Sequence, residues 1–359
     1  MPSSTSSSDR SASRPSGREA ETPDNNRLVP GGAWGATWLA TLALVAVAGG
    51  GLELWLRGRG YRPSVKDDEY AWAWQRARAG DGSPRTVAVL GASRILLAFD
   101  AATFARDAPN YKAVQLAVDG TTPAGSLIDL AGDPEFRGIA LVDTSESGIL
   151  VGNYARQDAY VTAYHRRFRA PGAMAERWLA TAVQSRVALP SAGGMRALGA
   201  LWQHAVWPPP PYVTTFADRT QFADFSLTSI AERRRAQLDR LPPAGTASAA
   251  DAAAWLEEAL RIEPHVAAIR ARGGQVVLLR MPTCDERWQF DETTTPRALY
   301  WDRLAARLTT RTGAVAIHFR DYPELASLPC PDTSHIDSRD GPRFTHALID
   351  ILKRFGILR

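Results

Sequence analysis

Three side chains of types that suit nucleophilic catalysis stand out in the sequence: Ser93, Asp332 and His335. Ser93 follows an apolar run, Thr86–Leu90, and a glycine at position 91. Asp332 and His335 stand three positions apart near the other end of the chain. A serine attacks an ester when a neighbouring base takes its proton and a carboxylate orients that base. The residue types therefore predict acyl transfer, provided that the fold brings the two stretches together.

Both stretches also have an ordinary structural interpretation. A serine directly after a strand is often the N-cap of the next helix, and Asp-x-x-His arises by chance in many chains. Gly91-Ala-Ser93 also lacks the second glycine of the Gly-x-Ser-x-Gly elbow of α/β-hydrolases. The joint placement favours catalysis, because one stretch follows the first predicted strand and the other precedes a predicted terminal helix at 342–355.

Apolar runs alternate with helical stretches and predict an α/β fold with a mostly parallel sheet. Strands are expected at 86–90, 113–118, 139–143, 276–280 and 314–319, and helices at 124–130, 249–272, 297–312 and 342–355. Open α/β sheets bind ligands at the carboxyl ends of their strands. We therefore expect a three-layer α/β/α sandwich over residues 85–359, with Ser93 at its ligand edge.

Residues from about 150 to 245 interrupt this alternation. They contain helical stretches and four consecutive prolines between Trp207 and Tyr212, which require extended chain or a rigid bend. We interpret the region as a helical insertion that covers the ligand edge or packs beside it, since functional insertions often lie there. A purely structural filler is the alternative.

The chain before residue 85 predicts a membrane anchor. Residues 1–30 are polar, and we expect a disordered tail. Residues 30–52 carry no charge, and as a helix this run is about 34 Å long against a hydrocarbon core of about 30 Å. We expect a transmembrane helix at 31–56, embedded in a lipid bilayer, and a linker with an amphipathic helix at 57–84. A cleaved signal peptide and a buried core helix are the alternatives.

Charge and cysteine content exclude several classes of protein. The formal net charge of +4 is not concentrated in basic clusters with aromatic residues, so nucleic acid is not an expected partner. The histidines show no metal-ligand spacing, and no phosphate-binding loop is present, so neither a metal nor another cofactor is expected. Cys284 and Cys330 both lie near the predicted ligand edge, where they either form a disulfide or remain two free thiols.

These motifs, in this order, resemble the SGNH or GDSL-like hydrolase superfamily, and more closely its membrane-anchored branch associated with acylation of bacterial polysaccharides. Gly91-Ala-Ser93 matches the nucleophile block and Asp332-Thr-Ser-His335 matches the last block. The resemblance implies that Ser93 is the nucleophile, His335 the base and Asp332 its orienting carboxylate. It also implies that the backbone N–H of Gly120, after the second predicted strand, contributes to the oxyanion hole.

The third block departs from the superfamily pattern. An asparagine is expected soon after the third strand, but Asp143 is followed by Thr144-Ser-Glu-Ser-Gly148 and no asparagine occurs before Asn153. Asn153 is the predicted oxyanion donor, and Ser145 is the alternative. The loss of one such donor removes about 3 kcal/mol of transition-state stabilisation.

Two arginines near the predicted ligand edge, Arg94 and Arg280, are candidates for binding an anionic sugar or a carboxylate. A structural ion pair is the alternative for both.

The resemblance implies an esterase or O-acyltransferase that acts on acylated glycans of the cell envelope. A single-pass protein of the bacterial inner membrane is expected, with its catalytic domain in the periplasm and a membrane-bound O-acyltransferase as a partner. The basic residues around the predicted span faintly favour the opposite orientation, but large domains often translocate regardless of them. The altered third block favours an alternative, a catalytically silent subunit that binds glycan or serves as a scaffold for an acylation complex.

Overall fold

The computed structural model describes residues 32–359 except 167, 169, 194–198, 200–201, 204–206, 244 and 246. The tail predicted at 1–30 lies outside the described residues. The chain forms two units, which are considered separately: residues up to Gly49 and residues from Gly50 to Arg359.

Helix α1 (Trp34–Gly58) is long and apolar enough to cross a membrane. Its 25 residues correspond to about 37 Å of helix, against a hydrocarbon core of about 30 Å. Beyond Gly49, the carboxylate of Glu53 accepts hydrogen bonds from the N–H groups of Ala188 (2.7 Å) and Leu189 (2.9 Å). Within the second unit, these bonds join the last turns of α1 to the chain at Ala188 and Leu189.

A five-stranded parallel sheet is the centre of the second unit, with strand order β2-β1-β3-β6-β7. A separate antiparallel hairpin is formed by β4 and β5. The strands are β1 (Thr86–Leu90), β2 (Lys112–Gln115), β3 (Ile139–Asp143), β4 (Val213–Thr215), β5 (Gln221–Ala223), β6 (Gln275–Arg280) and β7 (Val315–His318). The expectation of an α/β fold with a parallel sheet is confirmed.

Helices occupy most of the remaining chain. After α1 they are α2 (Glu69–Ala79), α3 (Ser93–Ala98), α4 (Ala101–Asp107), α5 (Ala124–Gly132), α6 (Asp158–Arg166), α7 (Pro171–Gln184), α8 (Ile230–Leu238), α9 (Ala249–Ala259), α10 (Glu263–Ala271), α11 (Asp285–Thr294), α12 (Trp301–Thr312), α13 (Pro323–Ala326) and α14 (Gly341–Arg354).

Both faces of the sheet are buried, which explains why β1 is a continuous apolar run. Val87 and Val89 belong to one apolar cluster, with side chains of α3, α4 and α14. Ala88 and Leu90 belong to a second cluster, with side chains of α2, α5 and α10. Successive strand residues point to opposite faces, so a strand covered on both sides shows no polar alternation.

Two predicted elements differ from those in the structure. The helix predicted at 249–272 is divided into α9 and α10, with Pro264 in the first turn of α10, where its missing N–H has no cost. The strand predicted at 113–118 ends at Gln115. The next carbonyl, that of Leu116, accepts a hydrogen bond from the Trp72 side chain at 2.9 Å.

The segment predicted as a helical insertion also contains the β4–β5 hairpin, which is tied to the sheet through Arg219. The Arg219 guanidinium is buried and donates to both carboxylate oxygens of Asp67, at 2.6 and 3.1 Å. It also donates to the carbonyl oxygens of Gln115 (2.8 Å) and Ala117 (3.0 Å). These bonds hold the hairpin near the carboxyl end of β2.

Candidate active site

Ser93 lies at the carboxyl edge of the sheet because a tight turn separates β1 from α3. Gly91 in that turn has φ +153°. A Cβ there would lie 2.7 Å from Ile95 Cγ2 and 2.8 Å from Asp143 Cβ, so only glycine fits between α3 and the end of β3. Ser93 is the first residue of α3, and its side chain faces a cavity of about 770 Å³.

The structure brings Ser93, His335 and Asp332 into one hydrogen-bonded series. Ser93 Oγ lies 2.8 Å from His335 Nε2. His335 Nδ1 lies 2.9 Å from Asp332 Oδ2. The hydroxyl, the imidazole and the carboxylate stand in the order that proton removal from a serine requires, although 242 positions separate Ser93 from His335.

The loop supplies several hydrogen-bond donors to the Asp332 side chain, and these favour its ionised form. Its Oδ1 atom accepts hydrogen bonds from the backbone N–H groups of His335 (2.8 Å) and Ser334 (3.1 Å). Burial by itself would raise the pKa of Asp332, but the hydrogen bonds and the charge of His335 outweigh it and leave this pKa below its ordinary value. The carboxylate is therefore ionised at neutral pH and can stabilise an imidazolium.

The loop that carries Asp332 and His335 is fixed by a disulfide between Cys284 and Cys330, whose Cα atoms are 5.8 Å apart. Of the two alternatives for these cysteines, the structure has the bonded one. The Cys284 N–H donates to the Thr333 carbonyl at 2.9 Å. Thr333 is fully buried and has φ +74°, a region that β-branched residues rarely adopt. The surrounding bonds hold the loop in this conformation, as is common at functional sites.

Two residues that line the cavity, Ser93 and Gly120, have backbone N–H groups without an acceptor in the described part of the chain. Among the described residues, neither the N–H of Ser93 nor that of Gly120 donates to a protein acceptor. Gly120 has φ +68° in the turn after β2, and both residues line the cavity. The oxyanion role of Gly120 stays a prediction.

Asn153 occupies a different position from the one that an oxyanion donor needs. It lies in a 3₁₀ helix, Val151–Gln157, and its side-chain amide donates to the Ser147 carbonyl at 2.7 Å. Asn153 is not among the described residues that line the cavity, whereas Ser145, the alternative donor, is. The altered third block thus leaves a serine hydroxyl, rather than an amide, on this side of the site.

The insertion supplies one wall of the cavity. Tyr212 and Val213 come from the start of the hairpin, and Arg233 and Gln237 come from α8. Ser338, three positions after His335, accepts a hydrogen bond from the Ala223 N–H at 2.6 Å and so joins the hairpin to the loop that carries Asp332 and His335. Of the two interpretations of the insertion, the described residues therefore favour the one in which it covers the ligand edge.

The two predicted anion-binding arginines have different surroundings. Arg280 is buried in an ion pair with Asp291 (2.8 Å) and a longer one with Glu146 (3.3 Å), and it does not line the cavity. This is the structural ion pair that the sequence left as an alternative. Arg94 is half-buried, lines the cavity and donates from Nε to Ser334 Oγ at 3.3 Å.

Asp143, which ends β3, is a buried acid that sequence reasoning did not assign to the site. Burial raises the pKa of Asp143 to about 6, although the charges of Arg94 and Arg280 oppose the shift. Burial and the neighbouring charges of Arg280 and Arg287 lower the pKa of Arg94 to about 10. Arg94 therefore remains a cation at neutral pH.

Several cavity residues had no recognisable signal in the sequence. Tyr212, Arg233 and Gln237 belong to the insertion, whose contacts with the sheet edge span more than a hundred positions. Ser334 stands inside the Asp-x-x-His motif, which gave the only clue to it.

No group of histidine, cysteine, aspartate and glutamate side chains in the described part of the chain is arranged to hold a metal ion. No protein-family model matches this sequence, and no curated protein matches it. The assignment of a function therefore rests on the geometry of the site.

Proposed function

We propose that this protein is a membrane-anchored serine esterase or O-acyltransferase of the SGNH type, acting on acyl esters of cell-envelope glycans. The observation that carries the proposal is the series Ser93–His335–Asp332, with distances of 2.8 and 2.9 Å. The order of its members along the chain supports the SGNH resemblance. The two apolar clusters on opposite faces of the sheet support a three-layer arrangement.

In the first step Ser93 Oγ attacks the ester carbonyl carbon while His335 Nε2 takes the hydroxyl proton. A bond forms between Oγ and carbon, and the carbonyl oxygen becomes an oxyanion facing the N–H groups of Ser93 and Gly120. The imidazolium then gives its proton to the leaving alkoxide as the carbon–oxygen bond breaks. The product alcohol leaves, and the acyl group remains on Ser93.

In the second step His335 takes a proton from an acceptor hydroxyl, which attacks the acyl-enzyme. Water as the acceptor gives hydrolysis, and a sugar hydroxyl gives transfer. Expulsion of Ser93 Oγ, reprotonated by His335, restores the free site. The wide cavity of about 770 Å³ accommodates a sugar acceptor.

We further propose that the catalytic domain is exported and that α1 holds it at the bacterial inner membrane, where a membrane-bound O-acyltransferase is a suitable partner. The length of α1 supports the anchor, and the disulfide supports an oxidising compartment such as the periplasm. Alkaline phosphatase fused to Arg359 should be active in intact cells, because it folds only after export. A fusion that stays inactive while the protein is expressed contradicts this topology.

The position of Asn153 favours a second candidate function, a catalytically silent subunit that binds glycan within an acylation complex. Its side-chain amide is committed to the Ser147 carbonyl, so the site lacks the amide donor of the superfamily pattern.

Hydrolysis of p-nitrophenyl acetate by the full-length chain in detergent separates the two candidates. An esterase releases p-nitrophenol above the rate of the buffer, and Ser93→Ala abolishes the release. The matched control is Ser327→Ala, a helix-end serine outside the cavity, which should keep the wild-type rate. A folded wild-type protein that shows no turnover favours the silent subunit.

A further inference from the structure

Arginines dominate the charge of the cavity. Two carboxylates, Asp119 and Asp143, line it. The arginines that line it are Arg94, Arg156, Arg233, Arg240 and Arg287. Arg94 lies on α3, Arg156 on the 3₁₀ helix Val151–Gln157, and Arg287 on α11. Arg233 lies on α8, and Arg240 follows that helix directly. Five arginines and Ser93 therefore line the same cavity.

Most of these arginines have no carboxylate partner within the described part of the chain. Arg287 pairs with Asp291 at 2.8 Å. Arg94, Arg156, Arg233 and Arg240 form no ion pair with a nitrogen–oxygen distance of 4.0 Å or less. By contrast, the fully buried Arg76, Arg219 and Arg280 each contact at least one carboxylate.

Two of the unpaired guanidinium groups are also poorly supplied with hydrogen-bond acceptors. Arg94 makes one hydrogen bond, to Ser334 Oγ, and its other N–H groups have no acceptor among the described residues. Arg233 stacks on the Tyr212 ring at 4.0 Å, and its buried Nε has no hydrogen-bond partner there either. The charge of each of Asp143 and Arg94 shifts the pKa of the other, but the two side chains form no ion pair.

A partly desolvated guanidinium without a partner is costly, because burial removes water and nothing replaces it. The planar fork of arginine fits the two oxygens of a carboxylate or a phosphate. A cavity that keeps such groups unpaired beside its nucleophile is suited to a ligand that brings the negative charge.

We propose that the ester substrate of this site is an anion, whose negative group binds Arg94 beside Ser93, with Arg233 as a second contact on α8. The proposal rests on the proposed function, since it names the class of ester on which Ser93 acts. The negative group belongs either to the acyl part or to the alcohol part of the ester, and carboxylates serve as the probe for both.

The experiment compares charged and neutral esters on the full-length chain in detergent. For the acyl side the pair is mono-p-nitrophenyl adipate and p-nitrophenyl hexanoate. For the alcohol side the pair is 4-acetoxybenzoate and its methyl ester. We expect kcat/KM for at least one charged ester to exceed that of its neutral partner about 10-fold at low salt, which corresponds to about 1.4 kcal/mol. The pair that shows the preference identifies the part of the substrate that carries the charge.

The variants Arg94→Gln and Arg233→Gln test whether these arginines cause the preference. Each should lower the ratio of charged to neutral kcat/KM, and Arg94→Lys should restore part of it, because lysine keeps the charge but not the fork. Arg261→Gln is the matched control, since Arg261 lies on the surface and pairs with Glu258. Equal rates for both pairs of esters overturn the proposal, and so does a preference that survives in both glutamine variants.

A binding measurement separates this proposal from the proposed catalytic function. Titration with 4-acetamidobenzoate, an amide that resists turnover, is followed by calorimetry for wild type and Arg94→Gln. Binding that is weakened at least about 10-fold in the variant supports the anion site even when no ester is hydrolysed. Turnover of neutral p-nitrophenyl acetate with no binding of the carboxylate leaves the esterase standing and refutes the anion site.

Discussion

The substitution Asp332→Asn isolates the carboxylate from the rest of the site. The N–H groups of Ser334 and His335 point at Oδ1, so they select the amide oxygen of an asparagine for that position. The amide nitrogen then takes the place of Oδ2 and donates to His335 Nδ1. The imidazole proton is thereby forced onto Nε2, the atom that must accept the proton of Ser93.

The expected loss follows from the distance between the two charges. An imidazolium 2.9 Å from the carboxylate is stabilised by about 6 kcal/mol at an effective dielectric constant of about 20. Removing this term should lower kcat by about 10⁴-fold. Both partners are buried, so solvent screens the interaction little.

The assay is steady-state hydrolysis of p-nitrophenyl acetate by full-length Asp332→Asn, with circular dichroism to establish folding. Asp337→Asn is the matched control, because Asp337 lies in the same loop but pairs with Arg339. We expect the control to stay within about threefold of wild type, or about 0.7 kcal/mol, because Asp337 does not line the cavity and its partner Arg339 lies on the surface. A folded Asp332→Asn that retains more than a tenth of the wild-type kcat refutes the assignment of Asp332.

Three further predictions concern stability, each measured by urea unfolding of the full-length chain in detergent. The pKa of Asp143 is about 6, against an ordinary value of 3.8. The folded protein therefore binds the Asp143 proton more tightly than the unfolded chain, and this contribution to the free energy of unfolding is full below about pH 4. It declines by up to about 3 kcal/mol as the pH rises through 6. Asp143→Asn should flatten this part of the profile, and an unchanged slope contradicts the assignment. Replacing Cys284 and Cys330 by serine opens a link between residues 46 positions apart and should cost about 4 kcal/mol, whereas equal midpoints with and without the disulfide contradict it. Arg219→Met removes the guanidinium from Asp67, which among the described residues keeps only the Gln221 amide at 3.2 Å, and should cost about 3 kcal/mol. A loss below about 1 kcal/mol shows that the hairpin is held by other contacts.

The series Ser93–His335–Asp332 was predictable because each member has a local signal. A fully apolar strand followed by glycine and serine marks a turn at the sheet edge, and Asp-x-x-His before an amphipathic helix marks a loop at the same edge. The sequence also predicted α1, since a charge-free run of that length has few other uses. Strand alternation with helices predicted the parallel sheet.

The remaining features depend on contacts that local pattern does not encode. Strands β4 and β5 have three residues each, which is too few to reveal an alternation of apolar and polar residues. Cys284 and Cys330 can form a disulfide only if their Cα–Cβ bonds point toward each other, and their spacing in the sequence does not determine this. Arg233 reaches the cavity from α8, which follows the hairpin in the chain, and nothing near Arg233 in sequence indicates this.

Asn153 shows the limit of reasoning by motif. An asparagine near the expected block suggested an oxyanion donor, but a 3₁₀ helix turns its side chain to the Ser147 carbonyl. The distance along the chain from β3 was already too long for the superfamily pattern.

Labelling with a fluorophosphonate tests the central proposal most directly, because the reagent reacts only with a serine whose proton a base removes. Full-length protein in detergent is treated with the reagent and digested, and the modified residue is identified by mass spectrometry. We expect one adduct per chain, on Ser93, with labelling lost in His335→Ala. A folded wild-type protein that stays unlabelled at Ser93, or one in which His335→Ala is labelled at the same rate, contradicts it.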